Sequence, residues 1–176
     1  MAGFAIAASS SAYDNTVYLI RHGEKPKSGD GLSPKGQKRA QCISKLFDLS
    51  SNYNIGYILA ETPETGGERD RPFLTVQPLA AVLGLQIDIS CGRDHHECVA
   101  EAVKKFTKKS NKNILVCWEH GALTEIAEKL GIKPGPVYPS DLFNQTWAIW
   151  DKTLTIGYED CPGLDPSEDR ILRVQI

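Results

Sequence analysis

A chain of 176 residues with 41% hydrophobic and 24% charged side chains fits one globular domain with a core of useful size. No apolar run approaches the ~18 residues that a bilayer span needs, and a formal charge of −2 leaves no basic footprint for nucleic acid. The five cysteines are scattered without a Cys-x-x-Cys pair, so neither a disulfide framework nor a zinc ribbon is expected, and a reducing, cytoplasmic setting is the simplest.

Residues 1–15 read as a flexible lead: Phe4 and Ile6 are apolar, but a basic n-region and a sustained hydrophobic run are missing. A single domain is expected over 16–176. Its first element is Thr16 to Ile20, a β-branched and aromatic run that stops at Arg21-His22-Gly23 and reads as a buried strand ending in a loop. Ser33-Pro34 then supplies an N-cap with proline at the first helical position, and the helix it opens buries Ala40, Ile43, Leu46 and Phe47. Ile55 to Leu59 is a second strand. A loop with Gly66-Gly67 leads to a helix beginning at Arg71-Pro72, with Phe73, Val76, Ala80 and Leu83 on one stripe.

A short strand at Gln86 to Ile89 precedes a third helix with Val99, Ala102, Val103 and Phe106 on its stripe. The strongest strand follows, Ile114-Leu115-Val116-Cys117-Trp118; its lack of polar alternation predicts a central parallel strand covered on both faces. It runs into Glu119-His120-Gly121 and a helix placing Leu123, Ile126, Ala127 and Leu130 inward and stopping at Gly131. Thr146 to Trp150, Thr153 to Tyr158 and Arg170 to Ile176 read as edge strands. Strands alternating with helices in this order predict an α/β domain whose mostly parallel sheet has right-handed crossovers.

In such sheets ligands bind outside the carboxyl ends of the strands, where both His-Gly turns fall. The glycine after each histidine lets backbone approach a ligand, and Gly121 opens a helix whose free N–H groups favour an anion. Arg21, and Arg71 at a helix start, add guanidinium forks suited to phosphate oxygens; Arg69 and Arg93 are alternatives to Arg71. A lone strand-end histidine is more often a structural hydrogen-bonder than a catalyst. Two of them with arginines and a helix N-terminus meet what phosphoryl transfer asks for: an in-line nucleophile and positive charge around the equatorial oxygens. His22 must be neutral to attack, and neighbouring arginines push it that way. No metal or other cofactor is required by this scheme.

Val17-Tyr18-Leu19-Ile20-Arg21-His22-Gly23-Glu24 resembles the signature of the histidine phosphatase superfamily, also called the phosphoglycerate mutase-like family, and the likeness covers nearly the whole chain. Leu32-Ser33-Pro34-Lys35-Gly36-Gln37-Lys38-Arg39-Ala40 resembles its Leu-Ser/Thr-x-x-Gly-x-x-x-Ala helix start, and Arg71-Pro72-Phe73-Leu74-Thr75 its Arg-x-x-x-Thr helix, although the loop from Glu64 to Asp70 departs from the family pattern. The resemblance implies a three-layer sandwich with helices flanking the sheet. It also implies a phosphohistidine on His22, phosphate binding by Arg21 and Arg71, and a second histidine at His120. The family's proton donor maps onto Asp94 or Glu97, with Glu119 a third candidate; Asp94-His95-His96-Glu97 is equally a capping box. The expected activity is metal-independent hydrolysis of a small phosphomonoester. Alternatives are phosphoanhydride hydrolysis or a mutase on the same site, a catalytically silent phospho-ligand binder, and a zinc module built on Cys91, His95, His96 and Cys98.

Overall fold

β4 (Asn113–Trp118) organises the molecule, because its side chains leave it alternately toward two apolar clusters. Leu115 and Cys117 face α1 (Pro34–Leu46) and α2 (Arg71–Leu83), packing with Ile43, Val76 and Leu79. Ile114, Val116 and Trp118 face α3 (His96–Thr107) and α4 (His120–Lys129), packing with Val99, Val103, Leu123 and Ile126. The computed structural model describes residues 14–166. The strand expected at Arg170 to Ile176 and nearly all of the expected lead lie outside them.

The remaining strands are β1 (Val17–Arg21), β2 (Ile55–Ala60), β3 (Ile87–Asp88), β5 (Gln145–Trp150) and β6 (Thr153–Tyr158), in the sheet order β3-β2-β4-β1-β5-β6. The first four positions are parallel; β5 and β6 are antiparallel. The layers are those of an α/β sandwich. β5 is not the edge strand that was expected: it lies between β1 and β6, with Trp147 buried against Tyr138.

Local chemistry explains the helix starts. Ser33 caps α1 by accepting the Gly36 N–H at 3.1 Å, with Pro34 at the first position. α2 opens on Arg71-Pro72 and stops at Gly84, whose φ of 64° suits glycine. The expected capping box before α3 does not form: the N-cap is His95, no side chain caps it, and Asp94 bonds to Arg93 instead. An ion pair with an adjacent guanidinium outcompetes a cap that the turn geometry has moved one residue on.

Four cysteines depart from the reduced state expected of them. Cys42 on α1 is bonded to Cys161, and Cys91 to Cys98 across the turn into α3. Their Cα atoms are 5.8 and 5.7 Å apart, ordinary for disulfides. The cytoplasmic expectation therefore loses its premise, since such bonds persist in oxidising settings. The bonded Cys91 and Cys98 also dismantle the proposed zinc quartet. Because Cys42–Cys161 closes 119 residues, replacing both residues with serine is expected to lower the unfolding free energy by about 2–5 kcal/mol. An unchanged denaturant midpoint for that double variant would contradict this. No helix among the described residues is long and apolar enough to cross a membrane.

Candidate active site

The register of β1 on β4 pairs Arg21 with Trp118, and the next N–H, that of His22, still donates to the Trp118 carbonyl at 3.1 Å. His22 and Glu119-His120 therefore leave neighbouring strand ends side by side, in the crevice where α/β folds hold ligands. The loop after His22 is pressed onto the first turn of α1. A Cβ on Gly23 would lie 2.9 Å from the Gly36 carbonyl oxygen, and one on Gly36 would collide with that of Glu24. Thr75, fully buried, ties the same loop to α2: its hydroxyl accepts the Gly23 N–H at 2.8 Å and donates to the Arg71 carbonyl at 2.7 Å.

His22 is 5% exposed, and its Nδ1 lies 2.7 Å from the Gly23 carbonyl oxygen. A carbonyl only accepts, so Nδ1 carries the proton and the lone pair is on Nε2. Burial lowers the imidazole's pKa from 6.5 to about 4, helped by the charges of Arg21 and Arg71 and opposed by the Gly23 bond. A neutral ring with a free Nε2 is what attack on phosphorus requires.

Arg21 is buried, with Nη1 donating to the carbonyls of Ser140 (2.8 Å) and Leu142 (2.6 Å) and its guanidinium 3.7 Å from the Phe143 ring centre. Its Nε has no partner, and an unpaired buried donor is costly unless a ligand completes it. Arg71 is held by the Gly31 and Gly29 carbonyls at 3.0 and 3.3 Å. Its charge reaches His22, whereas Arg69 is occupied by Glu64 at 2.9 Å. That difference favours Arg71 over Arg69.

His120 is the first residue of α4, with Glu119 as N-cap. Glu119 Oε1 lies 2.7 Å from His120 Nδ1, in a direction that does not make a hydrogen bond, so the contact is an ion pair only when the ring is protonated. Burial and then Arg21 lower the His120 pKa, against the pull of Glu119. Burial raises the Glu119 carboxyl, but the Gly121 N–H and the Arg93 guanidinium at 2.8 Å overcome it and hold the group below its usual range. The Glu119 carboxylate also lies against this turn, its Oε2 3.0 Å from where a side chain on Gly121 would begin. Arg93 also pairs with Asp94, and its carbonyl accepts the Trp118 indole N–H at 2.9 Å.

The expected acids separate. Asp94 is exposed and linked through Arg93 to Glu119. Glu97 is not brought to the crevice: its carboxylate pairs at 2.7 Å with Lys129, at the far end of α4 from His120. Sequence reasoning passed over Glu61, which is 2% exposed at the end of β2 and accepts the Glu119 N–H at 3.2 Å. Its only signal was an acid directly after an apolar run. Glu24, inside the signature, bonds to the buried Arg39. A cavity of about 1100 Å³ lies elsewhere, between α1, α2 and the 159–164 segment, and no histidine lines it. Glu159, Cys161 and Asp165 cluster like metal ligands but do not suit a metal, since Cys161 is in a disulfide and Arg39 holds both carboxylates.

Among solved structures, the protein histidine phosphatase SixA complexed with tungstate superposes at a TM-score of 0.57 with 15% identity, over 81% of this chain and 94% of that one. The chain shares the fold of this phosphatase. A phosphoserine phosphatase mutant from Entamoeba histolytica, in complex with phosphoserine, superposes on this fold at 0.53 with 12% identity, covering 84% of this chain and 98% of its own. A phosphohistidine phosphatase SixA described as putative, from Agrobacterium tumefaciens, does so at 0.52 with 16% identity, covering 82% and 97%. No protein-family profile and no curated protein matches the sequence. The shared fold says nothing of side chains, so the chemistry of the crevice at the ends of β1 and β4 is read from this chain's own residues.

Proposed function

We propose that the protein is a phosphatase that hydrolyses a small phosphomonoester through a phosphohistidine on His22. The observation that carries this reading is the buried His22 with its Nε2 free, under the charges of Arg21 and Arg71, at a strand end adjacent to the one that leads into His120. Nε2 attacks phosphorus, the P–O bond to the leaving group breaks, and the leaving oxygen takes a proton. Arg21, through its unpaired Nε, and Arg71 neutralise the equatorial oxygens, which is where catalysis of phosphoryl transfer mostly resides. His120 faces the same phosphoryl group from the β4 end. Asp94, after taking up a proton from solvent, delivers it to the leaving oxygen, being the expected acid joined through Arg93 to the Glu119 that abuts His120. Water then displaces His22 from phosphorus. Phosphate-mimic binding by tungstate in the superposed SixA, and phosphoserine in the Entamoeba enzyme, support an oxyanion ligand for this crevice.

The test is rapid quenching of the protein with an aryl phosphate, followed by mass spectrometry under alkaline conditions. A phosphate on His22, labile to acid, is the expected result. Steady turnover with no phosphate ever found on a histidine would rule the mechanism out.

A further inference from the structure

Phosphoryl transfer as described leaves Glu61 without a task. Its N–H prolongs the β2–β4 ladder to the Cys117 carbonyl at 3.3 Å, and its side chain turns along the strand ends to the Glu119 N–H, 3.2 Å from Oε2. His22, Glu119-His120 and Glu61 thus stand in a row at the ends of β1, β4 and β2. Among the described residues, no cation forms an ion pair with this 2%-exposed carboxyl. The guanidinium groups that face it are committed elsewhere, Arg69 from the β2–α2 connection to Glu64 and Arg93 from the turn before α3 to Asp94 and Glu119.

Glu119, at the α4 N-cap, presents it with a second carboxylate, and the buried Cys117 thiol on β4 adds no positive charge. Burial and like charge both penalise an ionised group here. Burial first, with Glu119 adding to it, pushes the carboxyl up to about 7. A phosphate dianion arriving beside His120 is a further like charge on the same crevice floor.

We propose that Glu61 positions the His120 turn through the Glu119 N–H and takes up a proton when a phosphate dianion enters the crevice, so that anion affinity and proton uptake are coupled. The inference rests on reading the crevice as a phosphate site. The proton comes from solvent and binds Oε1, since Oε2 is occupied by the Glu119 N–H; it is released when the anion leaves.

The probe is tungstate, a dianion whose own charge stays constant from about pH 7 to about pH 9, titrated calorimetrically against the whole chain. For the wild type, Kd is expected to rise toward tenfold per pH unit across that range, the slope for uptake of one proton. In Glu61→Gln the neutral amide keeps an acceptor for the Glu119 N–H, so Kd is expected to stay nearly flat and fall below the wild-type value at the alkaline end. The same slope in both proteins would overturn the proposal while leaving the phosphate site intact. Absence of tungstate binding at every pH would overturn the phosphate-site reading and this inference with it. Proton uptake by the wild type alone, from titrations in buffers of different ionisation enthalpy, gives an independent reading if Glu61→Gln folds poorly: no uptake near pH 8 refutes the coupling.

Discussion

His22→Ala is expected to abolish turnover, with kcat falling at least about 10⁴-fold, as for removal of a nucleophile whose role no neighbour can assume. His120 does not substitute, because it opens α4 on the neighbouring strand end and its Nδ1 lies against Glu119. The fold should survive, since the ring's hydrogen bond is to the adjacent Gly23 carbonyl. A variant that hydrolysed an aryl phosphate at the wild-type rate would dispose of the mechanism.

The pH profile gives the same residue a second signature. With its pKa lowered from 6.5 to about 4, His22 stays neutral well below neutral pH. The lone pair disappears as pH falls through the folded-state value, so the acid limb of kcat/KM assigned to the nucleophile should lie near pH 4 rather than 6.5.

Arg39→Ala is expected to cost about 3–5 kcal/mol, the range for removing one partner from a buried charge cluster. The guanidinium is 1% exposed and binds three carboxylates: Glu24 (2.8 Å), Glu159 (2.7 Å) and Asp165 (2.7 Å). It thereby joins α1 to the loop after His22 and to the C-terminal segment that Cys161 also fastens. Burial already pushes the Glu159 carboxyl up to about 8 against the pull of Arg39, and without the guanidinium the acids must take up protons or separate. At about 2–4 °C per kcal/mol, the Tm should drop by roughly 10 °C.

The sign of the pH dependence follows. Carboxyls left unpaired have folded-state pKa values above their unfolded ones, so stability is lost as pH rises through those values. The deficit of the variant should therefore narrow near about pH 5, where protons stand in for the guanidinium. A deficit independent of pH would assign the loss to packing instead.

Much of the crevice was legible beforehand because it is written in contiguous residues. An apolar run that ends abruptly at Arg21-His22-Gly23, and another at Glu119-His120-Gly121, mark strand ends without knowledge of strand order. Ser33-Pro34 and Arg71-Pro72 likewise announce helix starts that are set within a turn of chain. The errors share the opposite property. Asp94 and Glu97 fit a capping box by spacing, but Arg93 and Lys129 claim them. β5 looked like an edge because nothing in Gln145–Trp150 tells that β6 will cover it.

What the sequence determined by itself was the alternation of strands and helices, the parallel core around β4, and two histidines at strand ends with arginines near them, since each depends on side-chain period or turn chemistry over a few residues. Only the tertiary structure decided that Cys42 meets Cys161 across 119 residues, that Arg39 gathers three acids, and that Glu61 lies buried beside Glu119. Those pairings are set by which strand ends and loops the packed layers bring together, and burial then fixes the protonation of the groups caught there. Thus His22 and the arginines that favour its neutral form could be found in the sequence, while the burial that lowers its pKa further, and raises that of Glu61, comes from the fold.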